Sequence, residues 1–380
     1  MSALPGPDGK PPVVGIVGIG GAFGRWLARF LRTRMGVQVI GRDPAGDTAL
    51  SVRELALAAD VLVFSTPIRH TQAIIDEYVA AAAGSETGKL WLDITSIKQA
   101  PVAAMLRSHA EVVGLHPMTA PPKIATLQGR TMAVSRSRLD RWSPWLDALL
   151  DALQADCVDI EPMAHDRAMA LVQGLVHATH MAQAAVLREL APQAGGLQAL
   201  HALRSIGHDL DLTVTGRILS GNPAIYEDIQ FGNPHVPAML RCLADAVTLL
   251  STQVADGDEA ARTNVREHFL RTPADWFGDA ELAARSHGFE RMGYLQADLH
   301  AGRFLSVYLP EDRPGSLRAL LEAFERLGVN LQSIHSSRSP DGELHFRIGL
   351  QALPVPMQVL REAIESQGIG RVVAAAGEAD

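Results

Sequence analysis

His116 has the type and the setting that suit proton transfer. The run Val112-Val113-Gly114-Leu115 reads as a strand leading into His116-Pro117-Met118, which puts the imidazole on a loop at a sheet end. An ordinary histidine pKa, about 6.5, serves base work near neutrality. Read alone, the residue fits a capped loop histidine as well. Arg217 is the second candidate, because a guanidinium grips a carboxylate through two parallel N–H bonds in a way that lysine does not reproduce. It follows Leu210, Leu212 and Val214 on a helical stretch, where a merely exposed arginine is the alternative. His177 and His180 stand three apart on one helix face, with Gln173 one turn before His177. No third ligand is spaced with them, so no metal is expected; a core or interface histidine is the other reading of each. Ser96 lies beyond a strand end in Asp93-Ile94-Thr95-Ser96-Ile97-Lys98, in reach of a substrate hydroxyl or of His116. Lys98 suits the cofactor, the substrate or a helix cap.

Such groups need a scaffold, and Val13 to Asp43 supplies one. An apolar run, Val13 to Val17, meets glycines at 18, 20, 21 and 24. A helix pattern follows, with Trp26, Leu27, Phe30 and Leu31 apolar and Arg25, Arg29, Arg32 and Arg34 polar, and Val37 to Ile40 forms a second strand. Strand, glycine turn, helix and strand make the unit that holds a dinucleotide. Glycines let the backbone approach a pyrophosphate, and the helix start offers free N–H groups. Gly18, Ile19, Gly20, Gly21, Ala22, Phe23 and Gly24 are the expected cradle. The spacing departs from strict G-x-G-x-x-G, since Phe23 holds the last glycine place and Gly24 follows it, so the turn geometry stays open. Asp43 comes nineteen residues after Gly24, close to the roughly 20-residue offset at which an acid meets the ribose hydroxyls, which favours NAD. Arg42 beside it suits a 2′-phosphate, so NADP remains open. Thr66 and Pro67, beyond the apolar run from Val61 to Ser65, are expected on the nicotinamide side.

Short strands and helices alternate as far as residue 160, which means a doubly wound, mostly parallel Rossmann-like sheet of the α/β class over 13–160, after a loose lead-in at 1–12. Ser51 and Glu54 form a capping box at one helix start. From 161 to 301 the pattern is all-α, with one long helix from His165 to Leu190 and others at 199–218, 237–254 and 259–270. Its Ala- and Leu-rich stripe serves core or a subunit interface. From 302 to 380 the order is βαββαβ, a small ferredoxin-like domain with a hairpin turn at Pro340-Asp341-Gly342. The 380 residues are 47% hydrophobic with a formal net charge of −8, which suggests neither a nucleic-acid nor an anionic-membrane partner. Two cysteines, Cys157 and Cys242, fit no metal or redox spacing and suit a reducing, cytoplasmic setting. The first twelve residues lack an apolar signal core, and no run approaches the ~18 apolar residues of a membrane span.

In these blocks the chain resembles the prephenate/arogenate (cyclohexadienyl) dehydrogenase family with a C-terminal ACT domain. The likeness rests on Val17 to Gly24, Ser65-Thr66-Pro67-Ile68, Asp93 to Lys98, Gly114-Leu115-His116-Pro117-Met118, His165-Asp166, Gln173 through His180, Gly216-Arg217-Ile218-Leu219 and Asn222-Pro223. The tail is similar to ACT domains through Asp312-Arg313-Pro314-Gly315-Ser316-Leu317, Gly328-Val329-Asn330-Leu331 and Ser336 to Ser339, with Ser339 where the family carries proline. The resemblance implies NAD-dependent oxidative decarboxylation of prephenate, or of arogenate, in tyrosine synthesis. Hydride leaves the carbinol carbon, the ring carboxylate leaves as CO2, and aromatisation drives the reaction forward, so the protein must chiefly position and deprotonate. It implies His116 as proton acceptor, Arg217 on a substrate carboxylate, and His177 and His180 near the substrate, with Gln173 on the same face and Lys98 open to substrate or cofactor. It also implies a homodimer. An aromatic amino-acid effector, tyrosine by expectation, would meet Asp312, Pro314, Gly315, Ser316, Leu317 and Asn330.

Two other readings compete. A β-hydroxy-acid dehydrogenase of this layout would need a lysine on the first α-domain helix, and none occurs between Pro162 and Gln198. A non-catalytic amino-acid sensor is compatible with the tail, but the retained Ser96, His116 and Arg217 argue against a decayed site.

Overall fold

The computed structural model describes residues 5–44, 46, 50–121, 126–300, 303–310, 313–338 and 343–376. They divide into two compact units, 1–252 and 253–380.

The first unit is built on a seven-stranded sheet of β1 (Val13–Val17), β2 (Gln38–Arg42), β3 (Val61–Phe64), β4 (Leu90–Asp93), β5 (Glu111–Pro117), β6 (Thr131–Arg138) and β7 (Asp156–Asp159). Their order is β2-β1-β3-β4-β5-β6-β7. β1 to β5 run parallel, β6 turns antiparallel to β5, and β7 follows β6. Helices α1 (Ala22–Arg34), α2 (Val52–Ala58), α3 (Ile68–Ala82), α4 (Gln99–Met105) and α5 (Ser143–Leu153) cover both faces. Alternate residues divide between two cores: Val61 and Val63 pack with Leu27, Leu31 and Trp145, while Leu62 and Phe64 pack with Ile75, Tyr78 and Met105. A strand buried on both sides reads as an unbroken apolar run, which is why these strands are visible in the sequence. The Ser51/Glu54 capping box is formed at α2.

Two features differ from expectation. His116 lies inside β5 rather than on a loop, because β6 returns antiparallel and pairs Ala133 with His116 and Met132 with Pro117. β7, a short exposed edge strand reading Asp-Cys-Val-Asp, carries no apolar pattern and was not foreseen.

Beyond the sheet lie α6 (Pro162–Met169), a π-helical turn at Ala170–Leu175, α7 (Val176–Leu190), α8 (Gly196–Ala202), α9 (Ile206–Leu219), α10 (Pro223–Gly232) and α11 (Val236–Asp256). The single long helix expected from His165 is therefore interrupted. The helix expected over 199–218 also breaks, with the Ser205 hydroxyl accepting the His208 N–H to start α9 afresh.

In the second unit α12 (Glu259–Val265), a π-helical turn at Arg266–Arg271, α13 (Thr272–Phe277) and α14 (Asp279–His300) fall with the C-terminal sheet, so the expected division at 301 differs from the compact one. There α14 reaches the sheet through Asp298, whose carboxylate lies 3.0 Å from His335 Nε2. The sheet is antiparallel, ordered β11 (Arg371–Ala376), β8 (Phe304–Leu309), β10 (Leu344–Leu350), β9 (Leu331–Arg338). Helices α15 (Ser316–Arg326) and α16 (Met357–Glu365) pack on Leu305, Val307, Phe346 and Ile348. This is the expected βαββαβ order; the turn at 340–342 and Asp312 lie outside the described residues. Among the described residues no helix is long and apolar enough to cross a membrane.

Candidate active site

The carboxyl ends of β1 and β3 flank the point where strand order reverses, the place where open α/β sheets bind ligands. The glycine turn there closes in spite of its irregular spacing. Gly18 has φ +85°, and a Cβ on it would lie 2.2 Å from the Ser65 carbonyl oxygen. Its N–H donates to the Arg42 carbonyl at 2.7 Å. Gly24 does the work of the displaced third glycine: a Cβ there would lie 2.2 Å from the Gly18 carbonyl oxygen, so only glycine lets α1 cross so close to the turn. Gly21 starts α1 without a side-chain cap, leaving the helix N-terminus open to an anion. Asp43 accepts the Gly20 N–H at 2.9 Å, which holds its carboxylate against the turn. Arg42 instead directs its guanidinium to the Leu50 carbonyl, 2.9 Å away. Thr66 is tied to Thr71 of α3, hydroxyl to hydroxyl at 2.8 Å, and Pro67 starts that helix.

His116 sits at the same edge and is buried. Its Nδ1 lies 2.9 Å from Nε2 of His165, whose Nδ1 lies 2.8 Å from the Asp166 carboxylate. Asp166 also accepts the backbone N–H groups of Lys98 and Gln99, at 2.7 and 2.9 Å. With two backbone N–H groups donating to it, Asp166 faces His165 as an acceptor. That fixes the chain of protons: His165 carries hydrogen on Nδ1 and accepts on Nε2, His116 donates from Nδ1, and His116 Nε2 is left with a bare lone pair. Burial foremost, then the nearby Lys98 ammonium and the adjoining His165 ring, hold the His116 pKa well below 6.5, so the ring is neutral at pH 7.

Lys98 is corrected by the structure. Its side chain is 0% exposed and its ammonium is held by both oxygens of Asp93 and by the Leu115 carbonyl at 2.8 Å, so it meets neither substrate nor cofactor. Burial pulls the lysine pKa down and the Asp93 pKa up, while each charge restrains the other. The pair anchors the strand residue just before His116. Ser96 is corrected in part. His165, not Ser96, holds the His116 Nδ1, and the Ser96 hydroxyl makes no hydrogen bond among the described residues.

Gln173 is brought to His116: its Nε2 lies 3.3 Å from the bare Nε2. One turn on, the His177 ring packs edge-on against Tyr226, centroids 4.9 Å apart, and the Tyr226 hydroxyl donates to the Arg217 carbonyl at 3.4 Å. Burial, then His180, lowers the His177 pKa. His180 turns its Nδ1 to the Val176 carbonyl and its Nε2 toward Asp211 of α9, 3.7 Å away. Arg217 is exposed, and its guanidinium engages no partner among the described residues; it joins the cluster through Tyr226 alone.

His165, Asp166, Asp93 and Tyr226 were not assigned roles from sequence. The only available signal was the adjacency of His165 and Asp166 at the start of a helix, and nothing local ties that pair to a strand 49 residues earlier.

Among the described residues, the expected effector residues lie at opposite ends of the C-terminal sheet. Gly315, φ +97°, opens α15 after the carboxyl end of β8. Asn330 precedes β9 at the opposite end of the sheet, since Leu309 pairs with Leu344 whereas Leu331 pairs with Leu350. The crossover helix α15 carries the chain back along the strand length, and Asn330 there donates to Gln351 at 2.9 Å.

Three stretches of the chain match known domain families. Residues 27–133 match the prephenate dehydrogenase nucleotide-binding domain, 161–269 the prephenate dehydrogenase dimerization domain, and 303–349 the ACT domain. A 4-amino-4-deoxyprephenate dehydrogenase of Streptomyces pristinaespiralis is 32% identical over 64% of this chain and 85% of its own length. The chain belongs to the prephenate dehydrogenase family. A probable arogenate/prephenate dehydrogenase of Methanocaldococcus jannaschii is 30% identical over 59% of this chain, which spans about half (52%) of that longer protein. The crystal structure of prephenate dehydrogenase from A. aeolicus with hydroxyphenyl propionate and NAD+ superimposes with TM-score 0.53 at 17% identity, covering 68% of this chain and 96% of that one. It shares the fold.

Proposed function

We propose that the protein oxidises and decarboxylates prephenate to 4-hydroxyphenylpyruvate, with arogenate as the competing substrate, for tyrosine synthesis in the cytoplasm. The observation that carries this reading is the bare Nε2 of a buried, neutral His116 at the carboxyl edge of a dinucleotide-binding sheet. Asp43 on the glycine turn, with Arg42 committed to Leu50, supports NAD over NADP. NAD+, when bound, accepts the hydride from the ring carbon bearing the hydroxyl. His116 Nε2 takes the hydroxyl proton, and the relay through His165 to Asp166 favours the imidazolium so formed. The unpaired guanidinium of Arg217 supplies the grip for a substrate carboxylate. The exposed Leu203, Leu219 and Phe231, the last 91% exposed, support a second copy covering the helices of the first unit. An aromatic amino acid, tyrosine foremost, is the proposed ligand of the ACT domain.

The test is a grid of initial rates with purified protein: prephenate, arogenate and 4-amino-4-deoxyprephenate against NAD+ and NADP+, each with and without tyrosine. Reduced nucleotide is expected with prephenate or arogenate and NAD+. No reduced nucleotide in any cell of the grid removes the proposal.

A further inference from the structure

We infer that Gln173 is a catalytic donor to the substrate's ring oxygen, holding it beside His116 and stabilising the charge it gains as CO2 leaves. The inference rests on the reading of the site as a prephenate or arogenate dehydrogenase and adds a residue to its chemistry.

The orientation of the carboxamide follows from the proton chain. His116 Nε2 is an acceptor, so the group facing it at 3.3 Å is the amide NH2. The amide oxygen, Gln173 Oε1, then points away, and it is buried with no hydrogen-bond partner among the described residues. A buried acceptor left unmatched is destabilising until a donor reaches it. With one end loosely held and the other unmatched, the carboxamide occupies the seat in front of the base and has yet to settle on a partner.

The backbone aims it there at some expense. Gln173 lies on the π-helical turn Ala170–Leu175, and such single-turn insertions in α-helices are frequent at functional sites. The turn is clamped from outside. Gln230 of α10 donates to the Gly174 carbonyl at 2.9 Å, and a Cβ on Gly174 would lie 2.8 Å from Val236 Cγ2. A regular helix through 165–190 would turn Gln173 to a different azimuth.

The chemistry gives the amide a task. The substrate O–H bond breaks toward His116 Nε2 and the C4–H bond breaks with hydride passing to NAD+, leaving C4=O. The bond from C1 to the ring carboxylate then breaks. Its electron pair enters the ring and ends on the C4 oxygen, CO2 departs, and the oxygen recovers its proton from His116. Between those events the oxygen is a developing phenolate. An imidazolium on one side and an N–H donor on the other are what that charge requires, and the loss of one such donor costs about 10²-fold in turnover in other enzymes. A shift of the side chain that lets the oxygen enter between the two nitrogens is all that binding needs.

The experiment compares wild type with Gln173→Met, which keeps length without polar atoms, and Gln173→Glu, which accepts but does not donate when ionised. Measured are kcat, KM, NAD+ affinity, the pH profile, and inhibition by 4-hydroxyphenylpyruvate against phenylpyruvate, which lacks the ring oxygen. Expected are a fall in kcat of about 10²-fold in Gln173→Met, NAD+ affinity unchanged, and a roughly tenfold loss of preference for the hydroxylated inhibitor, in keeping with one neutral hydrogen bond. In Gln173→Glu the acid limb should move to higher pH, because a neighbouring carboxylate favours the imidazolium. A purely structural glutamine would lower kcat without altering the preference for the phenol. Unchanged kcat and unchanged preference in Gln173→Met overturn the inference while leaving the dehydrogenase reading intact. A wild-type protein inert toward every substrate sinks that reading first.

Discussion

The two sides of the His116 ring are built in opposite ways. Behind it, every polar group is matched: Nδ1 meets His165, His165 meets Asp166, Asp166 takes two backbone N–H groups, and Lys98 is closed on Asp93 and Leu115. At its Nε2 stands Gln173, and three groups of the helical part have no hydrogen-bond partner among the described residues: Gln173 Oε1, His177 Nδ1 and the Arg217 guanidinium. A base is useful when its tautomer is settled before substrate arrives, whereas binding groups are useful when they still have bonds to make. Satisfied and unsatisfied hydrogen bonding therefore separate the fixed half of the site from the receiving half.

Substitutions on the two sides should fail differently. The largest effect belongs to His116→Asn at the boundary: turnover should fall by about 10²–10⁴-fold with NAD+ affinity retained, by rapid kinetics and titration. An unimpaired rate clears His116 of the base role. Behind the ring, Lys98→Met strands Asp93 in the core and should cost about 3–5 kcal/mol of stability, read by denaturant unfolding. A loss below about 1 kcal/mol would mean that the pair is not an anchor. Asp166→Asn removes the negative charge that favours an imidazolium at the far end of the relay, and leaves either Lys98 N–H or Gln99 N–H facing an amide NH2. It should lower kcat by about 10²-fold while KM stays within a factor of a few. In front, Arg217→Lys should do the reverse, raising KM by about tenfold with kcat little changed. The smallest effect concerns pH. Because the His116 pKa is held below 6.5, kcat/KM should stay flat as pH falls through that value and drop only lower, as the ring protonates. An acid limb at or above 6.5 would contradict a buried neutral ring.

The same contrast explains what could be read from the chain. The sheet was legible because strands buried on both faces leave unbroken apolar runs, and the glycine turn because Gly18 and Gly24 meet steric demands that no other residue satisfies. His116 was singled out from the apolar run before it, although β5 continues through it. The half behind it was not legible. Lys98 looks like a surface cation in one dimension, and only the fold sets it against Asp93 under zero exposure. His165 lies 49 residues from the ring it orients. The π-helical turn escaped because its cause is not local: Gln230 and Val236, on two later helices, stabilise the widened backbone at Gly174. Asn330 and the Pro314–Leu317 loop were grouped by block, though the crossover separates them along the sheet.

The central claim is that His116 meets its substrate neutral, with hydrogen on Nδ1 and none on Nε2. Nitrogen-15 NMR of histidine-labelled protein at pH 7, with the His116 signals identified by their absence in His116→Asn, reads that state directly. The account predicts a protonated Nδ1 and a bare Nε2 at His116. A ring protonated on Nε2, or on both nitrogens, would contradict it.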